Sequence, residues 1–370
     1  MGTKKAIDRI TIAGFKSIRD LDQFEMRRLN VLIGANGAGK SNFVSYFRML
    51  GEMVEGRLQS WTRNQGSADR IVSFGVKETN MLKSFIEFGL NGYEFFLTPT
   101  VEGNFSFVSE RLFFAGVFFS SEWINLGSGH TESQLKTNYE SSSKGSVADY
   151  CYSSIASWKV FHFHDTSDTA GIKRLGSLHD NEYLRPDASN LAAFLYRLSD
   201  ETPDIYQQIL KTVRLAIPFF DRFVLKPQRL PTEEEQIRLL WRQKDSDYAL
   251  WPSQLSDGSI RFICLVTALL QPDPPSTIII DEPELGLHPY AITLLGSLLR
   301  SASKRMQVII STQSVPLVDE FSIYDLVIVE CEQEVTVFKR YDEKDFKTWL
   351  EEYSVGELWE KNIIGGRPRK

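Results

Sequence analysis

The feature that most constrains the fold is a short apolar strand that runs into the pattern G-x-x-x-x-G-K-S and then into a helical repeat. The glycines Gly34, Gly37 and Gly39 allow backbone angles that a side chain would forbid, so successive N–H groups can turn inward around a phosphate chain. The helix that begins near Lys40 adds its positive dipole end to these groups. The pattern therefore predicts a phosphate-binding loop in an α/β fold.

The side chains of this loop have predicted roles of their own. Lys40 should reach the β- and γ-phosphates of a nucleotide, and the Ser41 hydroxyl should bind Mg²⁺. The alternative is a chance glycine turn, which the strand before the loop and the helix after it argue against. The residues that we expect to contact the nucleotide are Gly34, Asn36, Gly37, Gly39, Lys40, Ser41 and Asn42.

A second buried strand is predicted over residues 277–281 and delivers two acids to the crevice where an α/β sheet binds its ligand. Asp281 would hold the Mg²⁺ shell, and Glu282 would orient or deprotonate the attacking water. The strand over 307–312 should bring Gln313 beside the γ-phosphate, where its amide could sense that group. A structural acidic pair and a simple strand-end amide are the alternatives.

A second anion-binding helix end is predicted at residues 254–259. Ser256 is a natural N-cap for the apolar helix over 260–270, and Gly258 lets a backbone N–H face outward. Such a helix start presents a hydroxyl, an amide and the helix dipole together.

The order and spacing of these segments resemble an ATP-binding-cassette (ABC) ATPase of the RecF/SMC-like branch. More narrowly, the chain resembles short stand-alone bacterial ATPases related to the overcoming-lysogenization-defect (OLD) and phage-defence ATPases. The resemblance covers residues 8–60 and 250–330 well. Gln313 stands where family switch loops usually carry histidine, and glutamine cannot take a positive charge. The matching segments are Walker A at 34–41, the signature L-S-D-G-S at 255–259, Walker B at 278–282, the D-loop at 284–289 and the switch loop at 311–314.

The resemblance implies an α/β P-loop NTPase with the ABC-ATPase head architecture. This head would have a mixed central sheet, an antiparallel β layer and an inserted helical lobe. We expect an amino-terminal nucleotide-binding lobe over 1–118, the helical lobe over 119–230 and a carboxyl-terminal nucleotide-binding lobe over 231–370, with the outer two forming one head.

The resemblance also implies a homodimer that sandwiches ATP and Mg²⁺. Walker A of one subunit and Ser256 and Gly258 of the other would clamp the same nucleotide. ATP would close this dimer, and hydrolysis to ADP and phosphate, with Glu282 and Gln313 as catalytic residues, would release it.

Two classes of function follow from the resemblance. The chain is either an ATP-driven switch in anti-phage defence that controls a separate effector protein, or a RecF-like DNA-repair or chromosome-maintenance ATPase that acts directly on DNA. About 40 residues follow Val329, which is too few for the nuclease domain of OLD proteins. A transporter cassette is disfavoured by the β-rich middle of the chain and by its RecF-like start.

Composition limits the partners. The 370 residues are 42% hydrophobic with a net charge of −6, so DNA contact would need a local basic patch. Cys151, Cys264 and Cys331 lack metal-ligand spacing and are predicted to be buried thiols of a reducing compartment. Without an apolar run of membrane-spanning length or a signal-peptide pattern, we expect a cytoplasmic protein that does not enter membranes.

The middle of the chain gives weaker predictions. Asn91-Gly92 predicts the turn of a β-hairpin, and a further strand is expected over 105–119. Residues 120–147 are predicted to form a long loop or a poorly ordered insertion, in which His130 has no evident partner.

Residues 158–165 are predicted to form a strand that ends in a polar tip. His162, His164 and Asp165 could form a metal cluster, but structural or nucleotide-pocket roles are favoured, since no further ligand lies nearby in sequence. Residues 187–217 are predicted to form two helices separated at Pro203, and the basic tail 365–370 is expected to be solvated.

Overall fold

The protein's structure, a computed structural model, describes residues 4–116 and 120–366. The strands are β1 (Arg9–Phe15), β2 (Ile18–Glu25), β3 (Leu29–Ile33), β4 (Leu82–Phe88), β5 (Asn91–Pro99), β6 (Phe105–Phe114), β7 (Glu122–Gly127), β8 (Lys159–Phe161), β9 (Gly176–Ser177), β10 (Phe220–Val224), β11 (Gln228–Arg229), β12 (Glu235–Ile237), β13 (Leu240–Gln243), β14 (Ala249–Leu250), β15 (Thr277–Asp281), β16 (Gln307–Thr312), β17 (Leu326–Glu332) and β18 (Val335–Lys339).

The helices follow the same chain order. They are α1 (Lys40–Val54), α2 (Leu58–Asn64), α3 (Ala68–Ile71), α4 (Leu135–Ser141), α5 (Val147–Ala156), α6 (Leu191–Glu201), α7 (Pro203–Ala216), α8 (Asp257–Leu270), α9 (Pro289–Ser303), α10 (Val315–Val318), α11 (Lys347–Leu350) and α12 (Val355–Glu360). Within the described ranges, no helix has both the length and the apolar character needed to cross a bilayer.

The central sheet is mixed, with the strand order β18-β17-β3-β16-β15-β8. Its inner strands are parallel, and only the pair β17–β18 is antiparallel. Ile33 pairs with Thr312 and Asp281 pairs with Ser311, so the ends of β3, β15 and β16 lie at one edge. The phosphate loop and the acidic pair therefore lie at the same edge, as the sequence predicted.

The central sheet is covered on both faces, which explains its nearly continuous apolar strands. Alternate residues of β15, Ile279 on one side and Ile278 and Ile280 on the other, belong to two different hydrophobic clusters. The first side packs against α1 and the antiparallel sheet, and the second packs against α8 and α9. The predicted α/β class with a mixed central sheet and an antiparallel β layer is confirmed.

The antiparallel sheet has the order β2-β1-β4-β5-β6-β7 and contains the predicted hairpin. The turn itself lies two residues earlier than predicted, because Asn91 pairs with Phe88 and Gly92 pairs with Glu87 inside the ladder. Gly89, with φ of 62°, supplies the left-handed turn conformation instead. The predicted strand over 105–119 ends at Phe114, and its residues 117–119 lie outside the described part of the chain.

Residues 120–147 were wrongly predicted to be a loop, since they contain β7 and α4. The polar composition hid these elements because β7 is an edge strand with little buried surface. His130 also has a partner: its Nε2 lies 2.8 Å from Glu110 Oε2, and its ring stacks on Phe107 at 4.5 Å. Glu110 is buried and 20 residues away in sequence, so local spacing could not reveal this contact.

Two smaller predictions need correction. The first predicted helix after residue 187 begins only at Leu191, although Pro203 does open the second helix. Cys151 and Cys264 are buried free thiols, whereas Cys331 is exposed on β17. The apolar sequence around Cys331 belongs to a strand near the edge of the sheet, where alternate side chains need not be covered.

Candidate nucleotide-binding site

The loop between β3 and α1 has the conformation that its glycines permit. Gly37 and Gly39 have φ of 79° and 109°, in the region that side chains disfavour. Gly34 is not among the described glycines with positive φ, so its predicted conformational role is wrong. A Cβ at Gly34 would overlap the carbonyl oxygen of Val329 instead, and the residue is glycine because β17 approaches closely.

The loop is braced from behind by a hydrogen-bond network that sequence analysis missed. Thr336 Oγ1 bonds the Ala38 carbonyl at 2.9 Å and the Ser17 hydroxyl at 2.6 Å. Asn42 Nδ2 donates to the same Ser17 hydroxyl at 2.6 Å. Asn42 was predicted to contact the nucleotide, but its side-chain amide belongs to this network, which we call the brace. A Cβ at Gly39 would overlap Thr336. Ser17 and Thr336 are 319 residues apart, and no local pattern links them.

Lys40 lies in the first turn of α1 with its ammonium group folded back on the loop. Its Nζ donates to the carbonyl oxygens of Gly34 at 2.6 Å and Ala35 at 3.0 Å. Lys40 is buried, and this burial lowers its pKa below the ordinary value. The negative charges of Glu282, Asp281 and Glu284 oppose that pKa shift, so these carboxylates lie within electrostatic reach of the ammonium group.

The end of β15 places the predicted acidic pair in two different environments. The Asp281 carboxylate accepts a hydrogen bond from the Ser311 hydroxyl on the neighbouring strand. Glu282 has φ of 45°, a left-handed conformation that is strained for a residue with a side chain. Its backbone N–H donates to the Ser311 carbonyl at 2.9 Å. The structure therefore turns Glu282 out of the strand direction immediately after Asp281.

Gln313 contacts the second acid of this pair. Its Nε2 donates to Glu282 Oε1 at 2.7 Å, which joins the end of β16 to the end of β15. The two residues that the sequence predicted as catalytic are therefore in direct contact. In this arrangement the amide holds one oxygen of the carboxylate.

Glu284 is a third acid at this edge, and sequence analysis assigned it no role. Its Oε1 accepts from the Thr312 hydroxyl at 2.6 Å and from the Gln313 backbone N–H at 3.2 Å. Its Oε2 is buried and has no hydrogen-bond partner among the described residues. Burial raises the pKa of Glu284, an effect that the Thr312 bond opposes. The sequence Glu282-Pro283-Glu284, directly after the strand, was the signal that could have identified this third acid.

The histidines after β8 lie beside Walker B but do not form a metal cluster. His164 Nε2 donates to the Asp281 backbone carbonyl at 3.0 Å, and its ring stacks on His162 at 4.2 Å. Burial lowers the pKa of His162, and the charge of His164 lowers it further. Within the described ranges, no three His, Cys, Asp or Glu side chains form a group that could hold a metal ion.

The signature segment begins α8 at the protein surface. The Ser256 hydroxyl accepts from the Ser259 N–H at 3.2 Å, as predicted for an N-cap. Leu255 is buried, whereas Ser256 and Asp257 are exposed. Gly258 lies within the helix, and a Cβ there would overlap the Gly286 carbonyl. Glycine at position 258 therefore also allows α8 to lie close to the loop after Walker B.

Arg261, one turn into α8, links the signature helix to two loops at the candidate site. Its guanidinium donates to the carbonyl oxygens of Phe163 at 3.1 Å, His164 at 3.0 Å and Leu285 at 2.9 Å. Phe163 and His164 follow β8, and Leu285 follows Walker B. Sequence analysis did not single out Arg261, because carbonyl acceptors leave no trace in a residue pattern.

These features define the class of protein. A phosphate loop after β3, acids after β15 and a surface helix end on α8 give the chain the fold of an ABC-type P-loop ATPase head. Residues 29–320 match one protein family, and the chain belongs to it: the family described as AAA domain, putative AbiEii toxin, Type IV TA system. A comparison with curated proteins finds no match.

Solved structures support the same fold. An Smc head bound to the C-winged helix domain of ScpA is 14% identical with a TM-score of 0.61, and the match covers 92% of this chain and 99% of that one. An Smc head from Pyrococcus furiosus with an extended coiled coil, bound to the C-terminal domain of ScpA, is 15% identical with a TM-score of 0.55, covering 94% and 99%. At these identities the likeness establishes the fold.

Proposed function

We propose that the chain is an ATP-dependent dimeric switch, in which two copies close on ATP and separate after hydrolysis to ADP and phosphate. The observation that carries this proposal is the exposed start of α8. Ser256 and Asp257 are exposed on the same chain that builds a complete phosphate loop. A second copy can therefore reach this helix end, and ATP held by one subunit would be contacted by the signature of the other.

The residues of the loop suit a triphosphate with Mg²⁺. Lys40 would exchange its two carbonyl acceptors for phosphate oxygens. The Ser41 hydroxyl and the Asp281 carboxylate would hold Mg²⁺, which prefers one or two protein ligands together with phosphate oxygens and water. The unpartnered Glu284 oxygen fits this donor set, since a buried carboxylate oxygen needs a cation or a donor. The metal would neutralise charge on the phosphates.

Hydrolysis would use the contact between Glu282 and Gln313. Glu282 would accept a proton from the attacking water, and Gln313 would hydrogen-bond the γ-phosphate. The hydrogen bond of 2.7 Å between these two side chains supports this assignment, because it places the proposed base and the proposed phosphate contact side by side.

The proposed role of the switch is to control a separate effector in anti-phage defence within the cytoplasm. The Smc heads of similar fold are bound to ScpA, a separate protein, and the family description includes a toxin. Cys151 and Cys264 are free thiols, which suits a reducing compartment. In such a system, ATP-dependent closure would expose or hide a surface that the effector recognises.

The test is the mass of the purified chain in solution with and without ATP. We expect Glu282→Gln to bind ATP, to lose hydrolysis and to accumulate as a dimer. The exposed Glu351→Gln is the matched control and should behave as the parent chain. Adding Ser256→Arg should return Glu282→Gln to a monomer that still binds ATP, because a long charged side chain then covers the α8 start. A monomer at saturating ATP in Glu282→Gln would refute the sandwich.

A second candidate, direct action on DNA, is favoured by one face of the antiparallel sheet. Lys83 lies 5.7 Å from the Phe96 ring centroid, and Arg111 lies 4.1 Å from the Trp123 ring centroid. Trp123 is 42% exposed. Rings interleaved with basic groups can stack single-stranded bases and contact phosphates. A DNA-binding measurement on the purified chain alone distinguishes the two candidates. Direct action on DNA requires ATP- and salt-dependent binding that Trp123→Ala weakens.

A further inference from the structure

A cavity of about 310 Å³ lies at the start of β8, away from the phosphate loop. The ends of α5 and α8 and one side of α6 enclose it. None of the Walker A, signature, Walker B or switch residues lines it. This volume lies at the lower end of the range for small-molecule sites. The nucleotide site does not account for this cavity, and its lining determines what it can hold.

Lys159 is a basic group that lines this cavity and forms no ion pair among the described residues. Within residues 4–116 and 120–366, no hydrogen-bond acceptor or ion-pair partner contacts its ammonium group. The ammonium instead lies 4.5 Å from the ring centroid of Tyr183. Burial lowers the pKa of Lys159, the nearby positive charge of Lys4 lowers it further, and the charge of Glu55 opposes both effects. A half-buried cation that faces open space is the condition under which an anion gains most from binding.

Arg197 on α6 adds a second incompletely paired cation. Its Nε is buried and has no hydrogen-bond partner among the described residues. Its nearest carboxylate, that of Glu201, lies 3.7 Å away, which is beyond a hydrogen bond. The guanidinium also lies 5.2 Å from the ring centroid of Phe194. A planar guanidinium with free N–H groups favours phosphate or carboxylate oxygens.

The acids of the lining are placed where they do not neutralise these two cations. Lys4 is the third cation of the lining and pairs with Asp273 at 3.3 Å. Glu182 and Asp273 are exposed at the rim. Within the described ranges, the acids of the lining therefore leave Lys159 and Arg197 without a contact, and Arg197 keeps only its 3.7 Å pair with Glu201. A phosphate monoester carries a charge of about −2 at neutral pH, which matches these two cations.

We propose that this cavity is a second ligand site, which binds the phosphate monoester of a small ring-bearing molecule of the nucleoside monophosphate class. Lys159 and Arg197 would hold the phosphate. Tyr183, which is 49% exposed, and Tyr139 would contact the ring. The site is independent of the ATP switch proposed above, because it shares no residue with it.

The test uses the full chain with Lys40→Met, which removes the phosphate-loop ammonium group so that the second site is observed. Isothermal titration calorimetry with AMP should give saturable binding. Lys159→Met and Arg197→Met should each weaken AMP binding at least about tenfold, because each removes a charge-assisted contact. The exposed Lys304→Met is the matched control and should leave the affinity unchanged. Thermal unfolding of each variant checks that the fold is retained.

Further arms test each part of the proposed ligand. Adenosine, which lacks the phosphate, should bind far more weakly than AMP, and so should inorganic phosphate, which lacks the ring. Tyr183→Leu changes an exposed position and should not disturb folding. It should weaken the binding of AMP but not the binding of ribose 5-phosphate, which lacks the base. The proposal is overturned if AMP fails to saturate the Lys40→Met chain, or if AMP binds equally well without Lys159 and Arg197. Equal binding of inorganic phosphate and AMP overturns the ring contact.

Discussion

The two helix ends that the nucleotide would join differ in how they are built. The first, α1, begins after Gly39 with φ of 109°, and no described side chain caps it. The second, α8, begins after Ser256, whose hydroxyl already accepts the Ser259 N–H. The start of α1 therefore leaves its amides for a ligand, whereas one amide of the α8 start is already bound by its own cap. The α8 start is thus partly stabilised at the surface by its own serine, and the α1 start is not.

The largest effect should come from changing the glycine at the start of α1. Gly39→Ala should lower the free energy of unfolding by on the order of 3 kcal/mol and abolish ATP binding, because the new Cβ overlaps Thr336 and the left-handed backbone is strained. Gly37→Ala is the matched control: its φ is also positive, but nothing lies within 4 Å of the new Cβ. It should lower stability by only about 1 kcal/mol. Urea denaturation measures both values, and equal losses would contradict the brace.

A smaller effect should come from separating α8 from the loops near Walker B. Arg261→Met removes the hydrogen bonds to Phe163, His164 and Leu285, and we expect kcat for ATP to fall about tenfold with little change in KM, since misplaced groups slow chemistry more than binding. Arg261→Lys should recover part of kcat. Steady-state ATPase kinetics and thermal unfolding are measured together. Loss of stability with unchanged kcat would make Arg261 a purely structural residue.

The smallest effect should come from removing the cap of α8. Ser256→Ala should lower the free energy of unfolding by about 1 kcal/mol, as expected for an N-cap serine. Ser354→Ala, which removes the cap of α12, should cause a similar loss of stability. In the Glu282→Gln background, however, only Ser256→Ala should weaken the ATP-dependent dimer, measured as its dissociation constant. Equal dimer affinities in the two variants would show that the α8 end does not contact nucleotide.

The sequence predicted those features of the site that depend on short patterns. The phosphate loop, the acids after β15 and the cap of α8 each lie within a few residues, and their geometry follows from local backbone rules. The features that it missed depend on contacts between distant segments. Arg261 acts on carbonyl groups of two loops, and the buried oxygen of Glu284 becomes evident only when β16 lies beside it. No residue pattern encodes such contacts.

Two further errors have separate origins, one local and one distant. The hairpin was recognised, but its turn lies at Gly89 because pairing in the ladder fixed the register rather than the Asn-Gly pair. Gly34 was assigned a backbone role, yet it is small because of Val329, nearly 300 residues away. Inference from the chain succeeded for the cap of α8 and for the backbone angles of Gly37 and Gly39, which depend on sequence neighbours.

The brace behind the phosphate loop ties the order of synthesis to the ability to bind nucleotide. Ser17 leaves the ribosome 319 residues before Thr336, yet both belong to the network that holds the Ala38 carbonyl. A nascent chain can form its first strands and α1 well before β18 exists. Until then, the loop has its glycines but lacks its support. A partly synthesised chain therefore lacks the support of its phosphate loop, and we expect it to bind nucleotide weakly.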